Sequence, residues 1–327
     1  MRGSPIFLQT GFRSGGTWLW SRFRGLPGTM AYCEPLNEIL ATATLETISG
    51  LMSATSNLNH PMMEAPYFQE YSDLLNEDGV GVKGYQTDFG LEGYFAPPDV
   101  PHPELARYLG GLLDHAERCG KQPVLKFTRA LGRAAWLRRE FPGAKQILLV
   151  RRPLPQFRSG WELARRHENF AFLMIPLFTL SRVRDGAIGR VCDALAIPHI
   201  PSSEGLAACT GGYVALARTM PARTLFGAFL ALFIAAHAKS APFADLVIDQ
   251  DALEGDRRYR DATQARLRDL SGLPVDLSNC RDGLPARPPA ASADELGAID
   301  LVGSLLGGDH PESVAFARTL LSDRRRG

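Results

Sequence analysis

The sequence has almost no net charge, with 36 basic residues against 35 acidic ones. Broad binding to nucleic acid or to an anionic membrane needs a basic face, so this balance argues against both partners. Cysteines are few, and Cys33, Cys119, Cys192, Cys209 and Cys280 form no CxxC pair. Scattered thiols of this kind are expected to be reduced and mostly buried, which suits a cytoplasmic protein. The seven histidines show no HxH or HExxH spacing, so no metal site is expected. Arg2 and Gly3 lead straight into the first apolar run, too polar a start for a secretory signal. The apolar stretches "FAFLMIPLFTL" (170–180) and "LFGAFLALFIAAHA" (225–238) fall short of the roughly 18 to 20 residues of a membrane span. They are expected to be buried helix or pocket wall. No internal repeat is present, and nothing in the sequence sets an oligomeric state.

A chain of 327 residues can bury a substantial core, as one large domain or two smaller ones. Continuous apolar runs at 5–10, 123–128, 146–150 and 245–249 predict strands covered on both faces. Weaker strand signals lie at 30–34 and 80–85. Helical patterns follow the first loop and fill 105–119 and 130–141, with Gly120 and Pro142-Gly143 as stops. Alternating strands and helices predict an α/β fold with a mostly parallel sheet, which binds ligands at the carboxyl ends of its strands. Segments 40–100 and 160–225 read as structure covering a substrate cleft. The prolines of 284–292 read as a linker, and 323–327 as a solvated tail.

Behind the first strand stands "QTGFRSGGTW", residues Gln9 to Trp18. Gly11, Gly15 and Gly16 permit a tight turn into a helix near Thr17. Amides at a helix start form an anion site. The Walker pattern wants Lys after its last glycine; here Thr17 and Trp18 follow Gly16. No aspartate ends the strand 146–150 to hold magnesium. The turn therefore suits a phosphate-like group without the metal apparatus of triphosphate hydrolysis, although a glycine turn that only packs helix on strand reads the same way. A second stretch, "LLVRRPLPQFRSGW", sets Arg151 at a strand end and Ser159 eight residues later. An arginine fork with a serine hydroxyl is a good phosphate receptor. By itself it reads as a solvated loop; with the glycine turn, it suggests a nucleotide bearing phosphoryl groups at both ends.

At these residues the sequence resembles the sulfotransferases that use 3′-phosphoadenosine 5′-phosphosulfate (PAPS). The family's first motif, roughly [RK]-S-G-[ST]-[ST]-x-[LM], is similar to "RSGGTWL" at 13–19, and its second to "RRPLPQFRS" at 151–159. The resemblance implies a single P-loop-like, three-layer domain over 1–327. It implies that Arg13, Ser14, Gly15, Gly16, Thr17 and Trp18 surround the 5′-phosphosulfate, with Arg151 and Ser159 on the 3′-phosphate. Glu34-Pro35-Leu36 begins twenty-one residues after Arg13, where carbohydrate sulfotransferases carry a similar Glu-Pro-Leu and tyrosylprotein sulfotransferases their catalytic glutamate. The likeness covers 5–40 and 120–275 and leaves 40–100 unmatched. Gly16 stands where the family has a hydroxyl residue, and Arg152 where it has Asp or Asn. The cytosolic enzymes' C-terminal Arg-Lys-Gly-x-x-Gly loop has no convincing counterpart, so the glycan, tyrosylprotein and bacterial groups are the nearer likeness.

The resemblance implies sulfuryl transfer to an acceptor hydroxyl, with PAP as product and no metal. Glu34 is then the general base, against the alternative of a carboxylate that caps a helix start. Lys126, inside a strand, needs a partner if buried. The family likeness gives it the bridging oxygen of PAPS; the alternative is a strand-end lysine reaching water. Lys83 is a weaker competitor, and His60, Tyr67, Tyr71 and His167 read as packing or surface. Two other functions compete: a nucleotide kinase, which lacks its lysine and acidic magnesium ligand here, and a silent nucleotide-binding scaffold.

Overall fold

The computed structural model describes residues 3–55, 63–95, 97–184, 186–203, 205–280 and 291–321. His60, the tail 323–327 and all of the expected linker except its last two residues lie outside them. The chain begins β1 (Ile6–Thr10), α1 (Gly16–Arg24), β2 (Thr29–Cys33), α2 (Leu45–Thr55), α3 (Asp88–Leu91) and α4 (Pro103–Arg118). Next come β3 (Gln122–Phe127), α5 (Ala134–Glu140), β4 (Lys145–Val150), α6 (Pro153–His167), α7 (Ala171–Val183) and α8 (Gly186–Ala194). It continues through α9 (Leu206–Thr219), α10 (Ala222–Ser240), β5 (Leu246–Asp249), α11 (Gln250–Gly255) and α12 (Arg257–Ser271). Helices α13 (Ala293–Leu306) and α14 (Pro311–Leu321) close it.

Two compact units result. The first joins Met1–Val150 to Ser240–Leu284, and the second joins Arg151–Lys239 to Pro285–Gly327. The first unit is an α/β fold whose five strands, in the order β2-β3-β1-β4-β5, pair in parallel throughout. Every residue of β1 is buried, as a central strand covered on both faces requires. Helix α1 buries Leu19, Trp20 and Phe23, and the Trp20 indole donates to the Ala31 carbonyl at 3.1 Å. Burying each such ring contributes about 1.5–3 kcal/mol. Helix α4 buries Leu105, Tyr108, Leu109, Leu112, Leu113 and Ala116, an apolar stripe at three- and four-residue spacing. It stops before Gly120, which takes φ +70°.

One expected strand is absent. Residues 80–85 hold only an isolated bridge from Val82 to Leu75. Gly81 and Gly84, at φ +76° and +78°, turn the chain left-handed, where a strand cannot continue.

The second unit is helical among its described residues. Ten of the thirteen residues of α7 are buried, so the run 170–180 is a core helix. Helix α10 corrects the expectation about length. The helical stretch Ala222–Phe243 spans 22 residues, past both ends of the apolar run, and an 18-residue window within it reaches mean hydropathy 1.4. By length and composition it could cross a membrane, but 78% of its apolar window is buried, as in a core helix. Phe157 meets Phe226 at 5.0 Å, and Phe172 meets Phe229 at 5.3 Å. Gly160 makes room for this cluster, since a Cβ there would run into the Phe172 ring.

Candidate anion-binding and catalytic site

In a parallel sheet the loops after every strand emerge at one edge, so β1, β2 and β3 deliver their following residues together. After β1, Ser14 closes a turn by donating its amide (3.3 Å) and its hydroxyl (2.7 Å) to the Gly11 carbonyl. Arg13 and Gly15 take φ +60° and +91°. Helix α1 begins at Gly16, and no side chain caps it, so its first-turn amides suit an anion. Thr17 is buried in that first turn, while Trp18 is half-buried against the core.

The glycine at 16 has a packing reason. A Cβ there would lie 2.5 Å from Thr10 Oγ1 and 2.6 Å from Thr10 Cβ. Thr10 is itself fixed, since its hydroxyl donates to the Phe127 carbonyl at 3.1 Å. Beside Gly15 lies Gln250, whose Nε2 donates to Glu254 at 2.8 Å while its Oε1 is buried without a hydrogen-bond partner.

Register brings the next two residues together. Cys33 pairs with Lys126 across β2 and β3, so Glu34 reaches the end of β3, where its amide donates to the Lys126 carbonyl at 2.8 Å. Glu34 adopts φ +46°, and its Oε1 accepts from Lys126 Nζ in a salt bridge. Its Oε2 accepts from Thr128 twice, from the amide at 3.0 Å and from Oγ1 at 2.7 Å. The Lys126 side chain is only 5% exposed. Burial works against its charge, but the adjacent Glu34 carboxylate prevails and holds the ammonium above the ordinary lysine range. Lys126 is therefore a buried, partnered cation and does not reach out to water. The capping alternative for Glu34 also fails, because Asn37 caps the next turn by accepting from the Ile39 amide at 3.1 Å. Burial pushes the neighbouring Cys33 thiol up to about 12, which keeps it neutral and inert.

Arg24 and Arg133 fix the covering segment and Arg129 fixes the chain just before it, roles the sequence did not announce. Arg129 binds Glu38 and the Leu36 carbonyl. Arg133 donates to the carbonyls of Phe89, Glu92 and Gly93; burial pulls it down to about 10, so it stays charged at neutral pH. Arg24 binds Glu70 and the carbonyls of Ala65 and Pro66. Tyr67 stacks on Trp20, and the buried Tyr71 donates to the Cys33 carbonyl, so both are packing residues. Lys83 and His167 are exposed.

In the second unit, Arg151 directly follows β4 and Ser159 lies within α6, both half-buried. Gln156 Nε2 donates to the Arg151 carbonyl at 2.7 Å, and the Gln156 amide to the Arg152 carbonyl at 3.4 Å. Pro153 and Pro155 have no N–H, so the start of α6 offers few amides. An anion here depends on the side chains of Arg151 and Ser159. Thr128, Thr10 and Gln250 were missed from sequence. Only Thr128, a hydroxyl residue two positions beyond Lys126, left a signal.

No family model and no curated protein matches the chain. Among solved structures, the sulfotransferase domain of the Synechococcus PCC 7002 olefin synthase aligns with 99% of this chain and 97% of its own. Identity is 15% and the TM-score is 0.39, a likeness too low to assign an activity or a site.

Proposed function

We propose that the protein is a sulfotransferase that moves a sulfuryl group from PAPS to a hydroxyl of a glycan, lipid or secondary-metabolite acceptor and releases PAP. The observation that carries this reading is the buried Lys126–Glu34 pair on the strand beside the one that enters the glycine turn. Arg13 and the amides of Gly15, Gly16, Thr17 and Trp18 hold the 5′-phosphosulfate, while Ser14 shapes the turn. Arg151 and Ser159 bind the 3′-phosphate. Glu34 takes the acceptor's proton as its oxygen bonds to sulfur. Lys126 has three N–H donors and gives one to Glu34, so it can also steady the bridging oxygen as its bond to sulfur breaks. The absence of nucleic-acid and membrane partners and the cytoplasmic setting belong to the same proposal, and rest on the balanced charge and the scattered thiols.

One observation favours a silent nucleotide-binding scaffold: Glu34 already accepts three protein hydrogen bonds. Incubation with labelled PAPS and a panel of acceptor classes decides between the two. Gain of one sulfuryl mass on any acceptor supports the enzyme. PAP binding without turnover supports the scaffold, and equal affinity for PAP and 5′-AMP in calorimetry removes the 3′-phosphate site.

A further inference from the structure

The Glu34 carboxylate is held asymmetrically. A carboxylate offers about four lone-pair positions. Oε2 uses both of its positions on Thr128, at 3.0 Å from the amide and 2.7 Å from Oγ1. Oε1 uses one on Lys126 Nζ and keeps one. The backbone of Glu34 is fixed as well: its left-handed φ of +46° is costly for a residue with a Cβ and persists only where neighbours determine it. Those neighbours are Thr128 and the Lys126 carbonyl, which accepts the Glu34 amide at 2.8 Å. Thr128 is 7% exposed, too buried to serve as a surface hydroxyl.

We infer that Thr128 is a positioning residue for proton transfer: it immobilises Oε2, so that Oε1 alone receives the acceptor's proton, beside the Lys126 ammonium. This rests on the sulfotransferase reading. In that step the acceptor oxygen bonds to sulfur, and the bond from sulfur to the bridging oxygen breaks. The electron pair stays on the 5′-phosphate, and the proton goes to Glu34 Oε1. Thr128 makes and breaks no covalent bond. Without its hydroxyl, Oε2 keeps only the amide donor, and the carboxylate can rotate until either oxygen faces the acceptor.

The test compares Thr128→Val, which keeps shape and amide but loses the hydroxyl, with Thr128→Ser, which restores it. With the full chain, kcat for Thr128→Val should fall about tenfold, the effect of one charge-assisted hydrogen bond. KM for PAPS and calorimetric PAP affinity should not move, and Thr128→Ser should recover most of kcat. A second readout needs no turnover. Melting temperatures of Thr128→Val, Glu34→Gln and the double variant, without ligand, should be non-additive, because the hydroxyl acts through the carboxylate. Wild-type kcat in Thr128→Val, or additive melting shifts, would overturn the inference alone. A wild-type protein that converts no PAPS with any acceptor overturns the sulfotransferase reading and the inference with it.

Discussion

Both units bury aromatic rings, but among the described residues only the first also buries charged side chains. Lys126, Arg129 and Arg133 are buried in the first unit, and each meets a carboxylate or several carbonyls. Among its described residues the second unit buries Phe157, Phe172, Phe226, Phe229, Phe233 and the histidine His237, but no lysine, arginine or carboxylate. Charge can be buried only where geometry supplies partners, so it demands particular residues at particular places. An aromatic core needs volume and apolarity, and many sequences satisfy that. The difference separates an interior that needs particular partners at particular places from one that needs only volume and apolarity.

The largest effect that would break this comparison is expected at Glu34. Glu34→Gln should cut turnover by about 10²- to 10⁴-fold, the usual worth of a positioned base. It should also destabilise the protein, because it leaves the buried Lys126 ammonium facing a neutral amide; breaking a buried pair from one side costs about 3–5 kcal/mol. Replacing both partners, as Glu34→Gln with Lys126→Met, should restore most of the melting temperature while turnover stays lost. A double variant that regained turnover would remove Glu34 from the mechanism.

The second unit should respond to acid through His237. Its imidazole, in an apolar helix against Phe233, is pulled by burial from 6.5 down to about 4. The folded pKa is the lower one, so the unfolded chain binds the proton more readily. The neutral ring's contribution is complete above pH 6.5 and is lost as the pH falls toward 4. From that shift the loss is about 3 kcal/mol at its fullest. His237→Leu should flatten denaturation midpoints over that range, and a variant that loses stability in acid as steeply as wild type would assign the sensitivity elsewhere.

The same contrast explains what could be read from sequence. β1, β3, β4 and β5 were legible as continuous apolar runs, and the turn at 11–16 as glycines behind a strand. Glu34 and Lys126 were each legible alone, but their contact was not. It arises from the pairing of Cys33 with Lys126, ninety-three positions apart, and no local spacing encodes that register. Thr128 was missed for the same reason, since its hydroxyl matters only once Glu34 has arrived beside it. Residues 80–85 misled because Val80 and Val82 are two apart, as in a strand, but Gly81 and Gly84 turn the chain left-handed there. In the second unit the apolar runs gave helices, but not what they face.

A middle-sized effect should separate the two proposed phosphate sites. Arg151→Ala should weaken PAP binding by about 1.5–3 kcal/mol, the range for a hydrogen bond to a charged group. It should leave 5′-AMP binding nearly unchanged, as titration calorimetry of both ligands would record. Arg13→Ala should lower turnover as well as affinity, because charge develops at the 5′-phosphate during transfer. The reverse pattern would mean that the nucleotide lies the other way round.

The smallest effect asks whether the two units differ in anything besides what they bury. Gly111 lies within α4 of the first unit and Gly211 within α9 of the second. Both are exposed, neither has a positive φ, and a Cβ at either would meet nothing within 4 Å. Alanine at such a position removes backbone freedom from the unfolded chain and costs no folded contact. Each substitution should therefore stabilise by about 0.5–1 kcal/mol. If the units differ only in their interiors, Gly111→Ala and Gly211→Ala should raise the denaturation midpoint equally. A gain from Gly111→Ala with none from Gly211→Ala would mean that α9 unravels before the rest of the chain. The contrast between the units would then extend from chemistry to local stability.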